Sequence, residues 1–238
     1  MIVLAIDTCD ARGSAAVLRG EAVLKVVAHV SDQEYSAWLL PAVREALGSS
    51  GLQMEDVDAY AAAAGPGSFT GVRVGLATVK AWAEVYWKRI VAVSRLEALA
   101  VETSGGPAWV GAFANAQRGQ VFGAVYRRNG TGLVRCGDEM VIAPGKFVET
   151  AAEIAKGESI SWISTDAECL VSEEAWKTRE MRGESVERVS RVRAPMIGRI
   201  GLAALVDGRF TDALALDANY VRRPDAEIFW KGSALHGR

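Results

Sequence analysis

The 238-residue sequence predicts an α/β fold in two lobes, and three observations predict it. Apolar runs of strand length alternate with segments of helical periodicity, the pattern of sheets covered by helices. An opening meander of three short strands is answered by a second one starting near Pro107. The length is enough for two compact cores with no linker between them.

Residues 2–6 (IVLAI) read as a buried strand, a turn-rich 10–13 leads to a second at 15–18, and a break at 19–21 precedes a third at 23–30. Ser31 and Asp32 offer an N-cap. Tyr35, Trp38, Leu39, Val43, Ala46 and Leu47 then recur at helical spacing until the GSSG of 48–51, with Pro41 either kinking the helix or marking a fresh first turn. A small-residue strand covers 57–64, the GPGSFTGVRVG string of 65–75 turns the chain, and a long helix occupies 70–87. A strand at 90–93 and a short helix at 96–101 complete a first lobe over residues 1–104. Its order of meander, helix, strand, helix, strand is ribonuclease-H-like. The second lobe, residues 105–238, begins with strands at 109–113, 121–126 and 133–141 and then becomes irregular. It carries a helix at 146–155, a strand at 160–164, a mixed-charge stretch at 173–193 and a C-terminal helix at 196–206. Arg12-Gly13 and Arg118-Gly119, each in the first turn of a meander, form a faint internal repeat.

Composition excludes several classes. No run reaches the about 18 apolar residues of a membrane helix, and no basic, apolar leader opens the chain, so a cytoplasmic protein is expected. Cys9, Cys136 and Cys169 are too few and too scattered for a disulfide framework or a paired zinc site. A formal charge of -2 offers no excess to neutralise a phosphate backbone, which leaves tRNA or other nucleic acid as at most an indirect partner. His29 and His236 cannot converge at i, i+4 on a helix, so no histidine metal site is expected, and no serine lies in a nucleophile elbow.

Asp7 and Thr8 end the first strand, where a carboxylate could face magnesium and phosphate. Its counterpart in the second lobe is Asn115, which is neutral. Asp7 therefore reads either as a metal anchor or as the cap of a turn. Gly65, Gly67 and Ser68 open the glycine string, which either cradles an anion or lets the helix sit close to a neighbour through Gly71 and Gly75. It is no P-loop, because Val72-Arg73 follow Gly71 where lysine and a hydroxyl belong. Tyr35, Trp38 and Leu39 on the first helix, with Val72, Leu76, Val79, Trp82 and Tyr86 on the second, form either a buried face or a partner interface. Arg188, Arg191, Arg193, Arg199, Arg222, Arg223 and Lys231 cluster among acidic neighbours and read as a solvated mixed face, with a minor tRNA contact as the alternative.

AIDT at 5–8, GPGSFTGVRVG, VSRLEALA at 93–100 and YVRRPDAE at 220–227 stand in the order in which TsaB (YeaZ) proteins carry them, and the chain resembles that family over nearly its whole length. The resemblance implies an actin-like, two-lobed ATPase fold. It also implies a role as the non-catalytic partner of TsaD, a paralogue that carries the metal and performs the transfer of threonylcarbamoyl to adenosine of tRNA. TsaD's two metal-binding histidines would fall on Arg95 and Leu99, which cannot ligate. The resemblance places ATP and metal in partner subunits, TsaD and the ATPase TsaE, with none required by this chain. It places pairing with TsaD, or with a second copy of this chain, on the two helices after the first meander. Two departures from the family pattern bear on the cleft: Asn115-Ala116-Gln117 replaces Asp-Ala-Arg, and Tyr35 takes the place of a histidine. An ATPase or phosphotransferase on the same fold is the enzyme-class alternative.

Overall fold

The computed structural model describes residues 1–221 apart from Ser31, Thr131, Leu214 and Tyr220. YVRRPDAE and three of the basic residues, Arg222, Arg223 and Lys231, lie largely or wholly outside the described residues. In the first lobe, β1 (Ile2–Asp7), β2 (Ser14–Arg19) and β3 (Ala22–Ala28) form the meander. They are followed by α1 (Tyr35–Ser49), β4 (Ala59–Gly65), α2 (Phe69–Tyr86), β5 (Arg89–Ser94) and α3 (Arg95–Ala100). The second lobe contains β6 (Trp109–Gln117), β7 (Gln120–Asn129), β8 (Gly132–Arg135) and β9 (Met140–Ile142). It continues with α4 (Pro144–Ile154), β10 (Ile160–Ser164), α5 (Glu168–Val171), α6 (Glu174–Glu180), β11 (Val186–Arg188) and α7 (Ala194–Val206).

The two sheets repeat one plan. The first has the order β3-β2-β1-β4-β5 and the second β8-β7-β6-β10-β11, with β9 paired to β7 as an addition. In both, an antiparallel meander meets parallel strands at its first member: β1 pairs β4 in parallel, and β6 pairs β10 in parallel. The faint Arg-Gly repeat thus has a structural counterpart.

The single strand expected at 133–141 is two, β8 and β9, interrupted at residues 136–139. Helix α1 starts at Tyr35 behind Glu34, whose side chain makes no cap, and runs through Pro41 as far as Ser49; Ser31, of the expected capping pair, lies outside the described residues. The mixed-charge stretch is ordered as α6 and β11.

The lobe boundaries need correction at both ends. Sequence order put the helix after β5 in the first lobe and the last helix in the second, but each crosses over. Leu96, Leu99 and Ala100 of α3 pack into the cluster of Val110, Ala112, Phe122 and Tyr126 in the second lobe. Ala194, Ile197, Leu202 and Leu205 of α7 pack into the core of the first. The crossing of α7 is written in small residues: a Cβ on Gly198 would collide with Leu18 and Ala5, and one on Gly201 with Ala61. The alanine-rich β4 (AYAAAAG) and this glycine pair let helix and sheet approach to backbone distance. In the second lobe, Phe113, Phe147, Trp162 and Trp176 form an aromatic chain at centroid distances of 6.1, 5.9 and 5.6 Å, the first pair tilted and the other two edge-on.

Candidate functional site

A cleft of about 950 Å³ lies between the lobes at the C-terminal ends of β1 and β4. Its walls include the β1–β2 turn, the start of α1, the glycine string and the β6–β7 turn.

The first wall is built by alternation along β1. Asp7 and Thr8 are successive, so their side chains leave the strand on opposite sides. Thr8 turns to α2: its hydroxyl donates to the Gly71 carbonyl oxygen at 2.6 Å. A Cβ on Gly71 would strike the Thr8 carbonyl oxygen, one on Gly75 the Thr8 hydroxyl, and one on Gly67 the Cys9 carbonyl oxygen. The Ser68 amide donates to that same Cys9 oxygen at 2.7 Å, and the Ser68 hydroxyl caps α2 by accepting from the Gly71 amide. The glycine string is thus a packing device that seats a helix start on the turn after β1. Gly65 adopts a φ of +110°, open to glycine, and lies against the Asn219 carbonyl.

Asp7 turns the other way and is fully buried. One carboxylate oxygen accepts from the Cys9 amide at 2.8 Å, so Asp7 caps the turn. The other lies 3.4 Å from Nε of Arg95. Arg95, buried at the first position of α3, places its second nitrogen 2.6 Å from Asp10. Asp10 also receives Arg191 at 3.1 Å, and Arg191 in turn pairs with Asp166 at the end of β10. Three carboxylates and two guanidinium groups alternate beneath the cleft as its floor, with Asp10 and Arg95 reaching its lining.

The electrostatics follow from that alternation. Burial pushes the Asp10 carboxyl up, but Arg95, the Ala11 amide and Arg191 outweigh it and hold it below the usual carboxylate range. Burial works against the charge of Arg95, and Asp7 and Asp10 more than restore it. The Cys9 thiol is pushed well up, first by burial and then by Asp7.

The sequence-predicted residues divide. Gly67 and Ser68 line the cleft, while Asp7, Thr8 and Gly65 are buried outside its lining. Asn115 lines it too, with its side-chain oxygen accepting from the Gln117 amide of its own turn at 2.7 Å. Tyr35 faces the cleft and not the outer surface: its hydroxyl donates to the Asp10 carbonyl oxygen and accepts from the Gly13 amide. Trp38 packs edge-on to His29 and Tyr35. Leu39, Val72, Leu76 and Val79 turn into the lobe's own core, and Trp82 stacks at 5.9 Å from Tyr60. Of the two readings of these helical faces, the buried one holds for Leu39, Val72, Leu76 and Val79, which the first-lobe sheet covers. The outer face is instead Leu40, Pro41, Ala77, Ala81 and Val85, with Tyr86 half-exposed and Trp87 88% exposed just beyond.

Of the basic cluster, Arg188 is exposed and pairs with Glu168 at 3.2 Å, as a solvated face requires. Arg191 and Arg193 do not fit that reading. Arg191 joins Asp10 of the first lobe to Asp166 of the second, and the buried Arg193 reaches Glu102 at 2.8 Å. Sequence reasoning missed Asp10, Asp166 and Arg191; the signal for Asp166 was its place, like Asp7, at the C-terminal end of a central parallel strand.

A magnesium-nucleotide pair does not fit these residues. The cation position beside Asp7 is taken by a guanidinium, and no second carboxylate comes from Asn115. Among the described residues, no group of three or more histidine, cysteine or acidic side chains is placed to hold a metal ion, and no helix is long and apolar enough to cross a membrane.

The family model for TsaD, tRNA N6-adenosine threonylcarbamoyltransferase, matches residues 25–178. The tRNA threonylcarbamoyladenosine biosynthesis protein TsaB of Bacillus subtilis is 34% identical over 131 residues, 55% of this chain and 57% of that protein. The Escherichia coli protein of the same name is 29% identical over 69% of this chain and 70% of its own length. The chain belongs to the TsaB (YeaZ) family. The match to the Bacillus relative thus spans little more than half of it. In fold, YeaZ from Pseudomonas aeruginosa superposes with a TM-score of 0.70 at 24% identity over 91% of this chain and 98% of that one. The ROK hexokinase of Thermus thermophilus superposes at 0.52 and 12% identity over 88% of this chain and 100% of that chain, a likeness of the two-lobed actin-like fold alone.

Proposed function

We propose that this chain is a non-catalytic subunit in the formation of N6-threonylcarbamoyladenosine on tRNA, acting in the cytoplasm by holding a TsaD-like catalytic subunit. The observation that carries the reading is the place of Arg95: a guanidinium between Asp7 and Asp10 takes up the carboxylate charge that a catalytic cation would otherwise answer. Leu99, at the second position where TsaD has a metal-binding histidine, is buried in an apolar cluster.

Pairing uses the outer face of α1 and α2, where Leu40, Ala77, Ala81 and Val85 present an apolar stripe beside Arg44 and Glu84. A second copy of this chain can use the same stripe isologously. ATP and metal act in the partners, a TsaE-like ATPase and the TsaD-like subunit, and tRNA meets this chain only through them.

Reconstitution of the modification from purified components, with and without this chain, tests the proposal. Product is expected only with the chain present. Full product in its absence, or turnover by this polypeptide alone, overturns the reading.

A further inference from the structure

Besides the pairs of Arg95 with Asp7 and Asp10 and of Arg193 with Glu102, two polar ties cross between the lobes at separate places, and neither is explained by partner binding. The first is Arg191, which precedes α7 and joins Asp10 after β1 to Asp166 after β10. Asp166 is itself anchored: its carboxylate accepts from the Asn115 amide at 3.3 Å and the Thr165 hydroxyl at 2.7 Å, and its own amide donates to the Ser164 hydroxyl at 2.8 Å. The second is Glu139, between β8 and β9, with its side chain almost fully buried. It accepts from the Ser94 hydroxyl at 2.5 Å and from the Asn219 side-chain amide at 2.5 Å. Ser94 is the N-cap of α3, and its oxygen also accepts from the Leu96 and Glu97 amides. Asn219 is fixed to the first lobe by its own amide, which donates to the Ala64 carbonyl oxygen at 2.8 Å.

The anchors are spaced across both sheets. On the first, β4 lies between the β1 anchor and the β5 anchor; on the second, β6 and β7 lie between the β10 anchor and the loop before β9. One tie alone leaves a hinge about itself. Two ties set apart by strands, together with two helices crossing in opposite directions, oppose both opening and twisting.

We infer that Arg191 and Glu139 are struts that hold the two lobes at one fixed angle, so that this cleft does not close over a ligand as the clefts of hinge-closing enzymes do. The inference goes beyond the partner role and does not rest on it, since it concerns the isolated chain.

Spin labels at Arg44→Cys on α1 and Glu149→Cys on α4, in a Cys136→Ser, Cys169→Ser background, read the interlobe distance by pulsed electron resonance on the full chain. The expected result is a single narrow distribution that magnesium-ATP leaves in place. Arg191→Ala with Glu139→Gln is expected to add a second, displaced maximum. Arg188→Ala, which removes only a surface pair, is expected to add none. If the double variant loses its fold by circular dichroism, Arg191→Ala alone, at a side chain 40% exposed, supplies the reading by the same criterion. A parent distribution that is broad, a shift with magnesium-ATP, or a folded strut variant as narrow as the parent overturns the inference; a narrow parent with a displaced maximum in the variant supports it. Each outcome leaves the partner reading to its own reconstitution test.

Discussion

Arg95 donates to Asp10 at 2.6 Å although 85 residues separate them in the chain. Both belong to a floor of alternating charges in which Asp7 is fully buried and Arg95 nearly so. Removing the cation leaves two carboxylates facing each other in a poorly hydrated place. Arg95→Ala is therefore expected to cost about 3–5 kcal/mol, measured by urea unfolding. Arg95→Lys is expected to recover part of the loss, since one ammonium cannot reach both partners as a planar guanidinium does.

Acid sensitivity follows from Asp10. Its carboxyl is held below its ordinary range when folded, so the folded state favours the ionised form. That contribution is fully present above the unfolded value of about 3.9 and is lost as pH falls through the lower folded value. Urea stability is expected to be insensitive to Asp10→Asn substitution's pH term from neutral down to about pH 5, and the acid fall below about pH 4 is expected to be shallower in Asp10→Asn than in the parent.

Glycines of similar appearance should respond oppositely. At Gly71 the obstacle is the Thr8 carbonyl oxygen, part of a backbone held by the sheet, so Gly71→Ala is expected to destabilise by about 1–3 kcal/mol or more. Gly48, in α1 with open space around it, is expected to gain about 0.5–1 kcal/mol on replacement by alanine. Thermal unfolding of the two variants decides it.

The thiols should separate by burial. Cys9 is enclosed and its thiol is pushed up by burial and by Asp7, while Cys136 and Cys169 are only half-buried. A disulfide reagent at mildly alkaline pH is expected to modify Cys136 and Cys169 in the folded chain, and Cys9 only after denaturation.

On the outer face, Leu40→Asp and Val85→Asp are expected to leave unfolding close to the parent, because both side chains are exposed. Capture of a TsaD-like partner is expected to weaken about tenfold or more, roughly 1.4 kcal/mol. Retention measured on an immobilised partner checks this. Val79→Asp, by contrast, is expected to fail to fold, since Val79 lies in the first-lobe core.

Much of the first lobe was legible in the sequence because its signals are local. Alternation marks β1, helical spacing marks α1 and α2, and Gly71 and Gly75 stand four apart on the face that touches Thr8. The cleft floor was not legible, because its contacts span up to 181 residues, the distance from Asp10 to Arg191. Charge interleaving at 173–193 looked like a wetted surface for a related reason. Arg179 and Glu184 are only five apart, yet both are buried, with the Glu184 carboxylate also accepting from the Trp162 indole at 2.6 Å. Sequence spacing records charge balance but not whether water is present. The helical faces misled in the same way, since a stripe of Leu39, Val72, Leu76 and Val79 has one appearance whether a sheet or another protein covers it.

The exchange of α3 and α7 between lobes sets the order in which the chain can mature. As the nascent polypeptide leaves the ribosome, β1 to β5 emerge early, but the surface formed by Ala5, Leu18 and Ala61 stays uncovered until α7, beginning at Ala194, has followed the entire second lobe out. A fragment cut at the apparent junction would inherit that bare surface permanently and leave the second-lobe cluster without α3, so each half draws on a helix encoded in the other.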